Sequence, residues 1–166
     1  MDESPHRKKQ GDRFLNIFKK NCNEKNLNNK SFLEIGCGTG YILKKLKKEK
    51  AHVTGVEPGK NKKRNSNIKI LNSFFERIKF QNKFDFVINN AVLEHQINPK
   101  RFLKKIKSIL KHKGIVFVCV PDYEKQLMCG DPTLIHHEHL SFFTKETLKN
   151  ILKLCKFSNV KTFNDN

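Results

Sequence analysis

No apolar run in this sequence approaches the roughly 20 residues that a membrane-spanning helix requires. The longest, Ile115-Val116-Phe117-Val118-Cys119-Val120, has instead the length and β-branched content of a buried strand. The start, Met1-Asp2-Glu3, lacks the apolar segment of a signal peptide, so the expected location is the cytoplasm. The five cysteines, Cys22, Cys37, Cys119, Cys129 and Cys155, form no CxxC pair. Their odd number and scatter argue against a disulfide framework and a zinc ribbon, and free thiols in a reducing compartment are expected. Acidic residues are also scarce, with 16 Asp and Glu against 34 Lys and Arg, a formal charge of +18. Few of those cations are arginine, the better reader of phosphates and bases. Lysine and asparagine, both abundant here, share AT-rich codons, so base composition accounts for much of the excess. Nucleic acid is therefore not the expected partner; an anionic small substrate, such as a nucleotide-linked sugar, is at least as economical.

What the chain does contain is a regular alternation. At 166 residues and 37% hydrophobic it has the length of one domain. Ser4-Pro5 opens a helix carrying Phe14, Leu15 and Phe18, and an asparagine-rich loop runs from Asn21 to Lys30. Strands are predicted at Ser31–Ile35, His52–Glu57, Ile68–Leu71, Phe84–Asn89 and Ile115–Val120. A helix after Gly40 bears Ile42, Leu43 and Leu46. A second, opened by Asn98-Pro99, carries Phe102, Leu103, Ile106, Ile109 and Leu110, with Gly114 ending it. Thr144 caps a last helix with Leu148, Ile151, Leu152 and Cys155, and Phe157–Phe163 is a candidate sixth strand. Near-continuous apolar strands alternating with helices predict a doubly wound, Rossmann-like, mostly parallel sheet in three α/β/α layers. Residues 1–30 form its N-terminal helix and loop, and 31–166 the main domain. Ligands are then expected at the carboxyl ends of the strands, near the switch point.

Two motifs fall there. Glu34-Ile35-Gly36-Cys37-Gly38-Thr39-Gly40 follows a strand and precedes a helix, the context of a glycine-rich nucleotide loop. Its GxGxG spacing differs from the GxGxxG of dinucleotide folds. An acid two residues before the first glycine repels pyrophosphate and suits a ligand bearing an ammonium group and a sulfonium. Glu57, followed by Pro58, closes the second strand about 20 residues past the glycines, where a carboxylate can accept both ribose hydroxyls.

Together FLEIGCGTG, VTGVEPG, FDFVINNAVLEHQINP, GIVFVCVPD and HHEHLSFFTKETL resemble class I S-adenosylmethionine (SAM)-dependent methyltransferases. The nearest resemblance is to the branch that includes sugar C-methyltransferases and other bacterial small-molecule and polysaccharide methyltransferases. It implies SAM as cofactor, with Glu34 and Gly36, Cys37, Gly38, Thr39 and Gly40 at the methionine end. It places Glu57 and Pro58 at the ribose, and Asn72, Ser73 and Phe74 at the adenine. Asn89, Asn90 and Ala91 fall beside the reacting methyl. The Asn-Pro-Pro-aromatic signature of enzymes that methylate exocyclic base amines is absent, since Asn90 precedes Ala91 and Val92.

A histidine cluster, His136-His137-Glu138-His139, joins His95, which follows Glu94. A metal would use such residues, but no partnering cysteine or histidine stands at a ligand spacing, and no metal is expected. The imidazoles also suit a packed loop over the sheet. The resemblance favours catalysis, with His139 as general base, Glu138 as its orienter or an alternative base, and His95 as a substrate contact. The leading expectation is methyl transfer to a small acceptor, a sugar or glycan precursor, at oxygen or carbon. An RNA or protein methyltransferase and a shortened, non-catalytic SAM-binding domain are the alternatives. The resemblance further implies a seventh strand between the fifth and sixth, for which the sequence has no residues. A five-stranded core with a weakly anchored Phe157–Phe163 tail is expected.

Overall fold

The structure is a computed structural model that describes residues 4–59, 67–132 and 138–163. Its frame is five parallel strands: β1 (Ser31–Ile35), β2 (His52–Val56), β3 (Lys69–Leu71), β4 (Phe84–Asn90) and β5 (Leu110–Cys119). They lie side by side in the order β3-β2-β1-β4-β5. The chain winds outward from β1 through β2 to β3, then returns to build β4 and β5 on the other side. The switch point thus falls between β1 and β4, paired from Phe32 with Phe86 to Ile35 with Asn89.

Side-chain alternation decides what covers each face. Phe32, Phe86 and Ile88 point to one face, where they meet Phe14, Leu15 and Phe18 of α1 (Pro5–Asn21) and Ile42 and Leu46 of α2 (Tyr41–Lys48). Phe18 sits edge-on to Phe32, Phe86 and Phe117, with ring centroids 5.9, 5.5 and 5.5 Å away. The intervening residues Leu33, Ile35 and Val87 face the other way. They pack under Phe102, Leu103 and Ile106 of α3 (Pro99–Ile109) and Leu152 of α5 (Lys145–Leu154). The predicted three layers are therefore present.

The caps follow the sequence chemistry. Ser4 Oγ accepts from the Arg7 amide, Asn98 Oδ1 from the Arg101 amide at 2.9 Å, and Thr144 forms a reciprocal capping box with Thr147. Below the sheet, at the start of β4, Asp85 Oδ2 accepts from the Ser31 amide at 2.8 Å, the Ser31 hydroxyl at 2.6 Å and Lys111 Nζ at 2.8 Å. Burial alone would raise the Asp85 carboxyl, but these donors outweigh it and hold its pKa at about 2.

Two expectations change. Gly114 does not end α3: the helix stops at Ile109, and Leu110 already pairs with Phe84, so β5 begins without a loop. The register between β4 and β5 shifts at Phe84/Phe86. Gly114 lies inside that irregularity, where a Cβ would sit 3.0 Å from the main-chain oxygens of both Lys111 and Phe84. The apolar period carried Leu110 as helical because a buried side chain leaves the same mark on either element. The expected five-stranded core is present, with no strand at Phe157–Phe163. A short helix, α4 (Glu124–Cys129), follows β5 where none was predicted. Among the described residues no helix is long and apolar enough to cross a membrane.

Candidate active site

The glycine loop leaves β1 at its carboxyl end and enters α2. The Gly36 and Cys37 amides both donate to the Val56 carbonyl, at 2.8 and 3.2 Å, pinning the loop to β2. Gly36, Gly38 and Gly40 all have positive φ (75°, 53° and 84°), which side chains rarely adopt. Gly38 has a second reason to be glycine: nothing lies within 4 Å of where its Cβ would be, so its backbone is open to a ligand. Glu57 accepts from the Gly38 amide through Oε2 at 2.9 Å and from the Gly59 amide through Oε1 at 3.0 Å. The acid predicted to hold a ribose therefore also ties the glycine loop to the end of β2.

Glu34 is the electrostatic anomaly of this loop. It is 4% exposed and its Oε2 meets no donor. Burial pushes its carboxyl well above the ordinary value and the charge of Glu57 adds to the effect, opposed by the backbone at Leu43. A cation brought beside it would restore the charged form, so the ammonium end of an amino-acid-bearing cofactor fits this position. Asn72, Ser73 and Phe74 follow β3, with Asn72 exposed and Phe74 53% exposed. They stand at the same strand edge as Glu57, whose amide donates to the Leu71 carbonyl at 3.1 Å. Pro58 is exposed beside them.

The carboxyl end of β4 forms the opposite wall. Asn89 is 0% exposed, and among the described residues neither its Oδ1 nor its Nδ2 has a partner. Asn90 pairs with Cys119 of β5 in the sheet, and Ala91, at φ 53°, turns the chain away with its amide on the Cys119 carbonyl at 3.0 Å. Val92 then packs against the glycine loop: a Cβ on Gly36 would fall 2.5 Å from Val92 Cγ2. That contact sets the single-turn helix Leu93–His95 directly beside the loop.

In this turn Glu94 is fully buried, and neither carboxylate oxygen has a donor among the described residues. Burial raises its pKa, opposed by its own backbone and by His95. The Glu94 carbonyl accepts from the amides of Leu140 and Ser141 at 2.8 and 3.1 Å, stitching the segment of His139 to the turn. The rings of His95 and His139 meet edge to face, with centroids 4.8 Å apart. His95 Nδ1 lies 2.7 Å from the main-chain oxygen of Glu138, which can only accept, so Nδ1 carries the hydrogen. His139 Nδ1 is hydrogen-bonded to the hydroxyl of Tyr123. Burial raises the Tyr123 phenol, and the charge of Glu94 raises it further.

His95 and His139 are thus brought together as the sequence suggested, while Glu138 meets His95 through its backbone and its residue is exposed. The carboxylate of the cluster comes from Glu94. His136 and His137 lie outside the described residues. Sequence reasoning assigned no role to Glu94 or Tyr123. In the sequence Glu94 stands out only as an acid directly before His95. Tyr123 was detectable only as an aromatic just past the end of β5, a weak signal.

A parallel sheet wound in this order, a glycine loop after β1 and an acid ending β2 define the fold and site class of the SAM-dependent methyltransferases. Residues 7–162 match the family model described as a methyltransferase domain, and the chain belongs to that family. It is similar to a ubiquinone biosynthesis O-methyltransferase of Pelagibacter ubique, 30% identical over 110 residues, which are 61% of this chain and 46% of the relative. The chain thus spans less than half the length of that relative. A SAM-dependent methyltransferase from Archaeoglobus fulgidus shares the fold with a TM-score of 0.72 at 22% identity, over 94% of this chain and 70% of that one. A 1,6-didemethyltoxoflavin-N1-methyltransferase of Burkholderia thailandensis, solved with 1,6-didemethyltoxoflavin and S-adenosylhomocysteine, superposes with a TM-score of 0.67 at 16% identity. That match covers 95% of this chain and 81% of the other.

Proposed function

We propose that this chain transfers a methyl group from SAM to a small-molecule acceptor, at a hydroxyl oxygen, with sugars and other glycan precursors as the first class to test. One observation carries the reading: the imidazole pair of His95 and His139 is seated, through Val92, against the glycine loop of the cofactor half. When bound, the cofactor supplies a methyl group already activated by a positive sulfur. The chain has only to position the acceptor, exclude water and remove a proton.

Glu34 receives the ammonium end, Glu57 the ribose hydroxyls, and the segment Asn72–Phe74 the base. Asn89, Asn90 and Ala91 border the methyl. On the acceptor side, His139 takes the hydroxyl proton while Tyr123 fixes its ring, and His95 contacts the acceptor. The O-methyltransferase name of the Pelagibacter relative supports oxygen over carbon.

The test is calorimetry with S-adenosylhomocysteine, followed by transfer of labelled methyl from SAM to a panel of nucleotide sugars, free sugars and phenols. Binding of the product with label on a hydroxylated compound supports the reading. NADH binding without SAM binding would overturn it, and label appearing only on RNA or protein would replace the acceptor class.

A further inference from the structure

The polar groups around the turn after β4 do not balance. Glu94 is fully buried with both oxygens lacking a donor, and a buried carboxylate in that state is costly. Beside it stand two imidazoles, each with one nitrogen already engaged, His95 by the Glu138 carbonyl and His139 by Tyr123. One ligand atom each from Glu94, His95 and His139 lie within 4.8 Å of one another.

We propose that Glu94, His95 and His139 form a binding site for a divalent transition-metal cation of the zinc class, with open positions that take oxygens of the acceptor. The proposal rests on the acceptor reading above and changes what the imidazoles do there. A lone pair given to a cation cannot take a proton. With the cation in place the two histidines hold it, and the cation makes the acceptor hydroxyl acidic, its proton passing to water.

Four features support the site. The donor set of two nitrogens and one carboxylate suits zinc, cobalt(II) or iron(II) better than magnesium or calcium, which prefer all-oxygen shells. The hydrogen bond from His95 Nδ1 to a main-chain carbonyl is the outer contact that metal-binding histidines make, and it leaves Nε2 as the ligating nitrogen. On His139, the Tyr123 hydroxyl can accept from Nδ1–H, an outer contact of the same kind. The ligand segments are also held together without the metal, because the Leu140 and Ser141 amides both donate to the Glu94 carbonyl. Ligands about 2.0–2.2 Å from a tetrahedral ion stand roughly 3.4 Å apart, so side-chain rotations of about 1 Å close the observed span. Three protein ligands leave a fourth position free, the arrangement of catalytic rather than structural zinc.

The decisive experiment is a cobalt(II) titration of the chelator-treated full chain, read by visible absorption and by calorimetry. We expect one saturable site per chain with the d–d bands of mixed nitrogen and oxygen ligation, displaced by zinc. Removing a ligand should weaken it by at least about 10-fold, since even outer-contact losses cost 10–100-fold. Glu94→Gln, His95→Ala and His139→Ala are the variants. Circular dichroism checks folding, and the partly exposed His95 keeps the test usable if the buried Glu94 variant fails to fold. Cys129→Ser, removing an exposed thiol that could bind cobalt, should leave the spectrum unchanged. Absence of saturation in the millimolar range, or a site that survives both histidine variants, overturns the proposal. Methyl transfer undiminished by chelator, with no cobalt site, removes the cation and leaves the acceptor reading standing. A cobalt site without transfer to any hydroxylated compound does the reverse.

Discussion

The two ends of β4 carry acids with opposite fates. At the amino end, Asp85 has three donors on one oxygen and a pKa of about 2. At the carboxyl end, Asn89 and Glu94 are more deeply buried, and neither has a partner for its side chain. The same strand thus has a satisfied end, which holds β1, β4 and β5 together, and an unsatisfied end that faces the ligand region. Unpaired buried polar groups are rare in proteins because they destabilise, so their concentration at one end makes that end the candidate for ligand contacts.

Four substitutions test this contrast. The largest effect is expected from His139→Ala, which should lower methyl transfer by about 10²–10⁴-fold while leaving S-adenosylhomocysteine affinity nearly unchanged, as rate assays beside calorimetry would show. Equal loss of both would mean that the two halves of the site are not separable. Next is Glu57→Ala, expected to weaken cofactor binding by about 1.5–3 kcal/mol for each charged hydrogen bond lost. Limited proteolysis should also show the glycine loop loosened, because the same carboxylate holds Gly38.

Third, Asp85 should govern acid stability. Its folded pKa is depressed from 3.8, so its contribution, about 2 kcal/mol, is complete above the unfolded value and disappears as pH falls through about 2. Asp85→Asn should unfold more readily than the wild type at neutral pH, the gap closing in strong acid, by urea titration across pH. The smallest effect has the opposite sign. Glu94→Met removes a buried carboxylate and should leave stability unchanged or raise it by about 1 kcal/mol. A loss of stability as large as that of Asp85→Asn would erase the distinction between the two ends.

The cofactor half was legible because its signals are local. Glycines at fixed spacing, an acid two residues ahead and a second acid after the next strand all lie within one β-α-β unit, so spacing alone predicts their convergence. The acceptor half was legible only in part. His95 and His139 could be named, but Glu94 joins them through backbone hydrogen bonds to Leu140 and Ser141, a pairing that no periodicity announces. The start of β5 was missed for a related reason: Leu110 is buried in either element, and only its pairing with Phe84 shows that the helix has ended. The tail from Phe157 to Phe163 looks strand-like by composition. Phe157 and Val160 pack without any ladder against the face under α3 and α5, and Phe163 is exposed.

Asp122 and Phe143 form an isolated parallel bridge, and the Tyr123 amide donates to the Phe143 carbonyl at 2.9 Å. This contact closes the neck of the excursion that carries Tyr123 and His139. The entropic cost of closing such a neck grows only as the logarithm of the enclosed length, about 0.6 kcal/mol for each doubling. The segment inside can therefore be lengthened, shortened or exchanged with little strain passed to β5 or to the cofactor half. Under the proposed reading, changes inside this neck would alter the contacts of His139 with an acceptor and leave Glu34 and Glu57 in place.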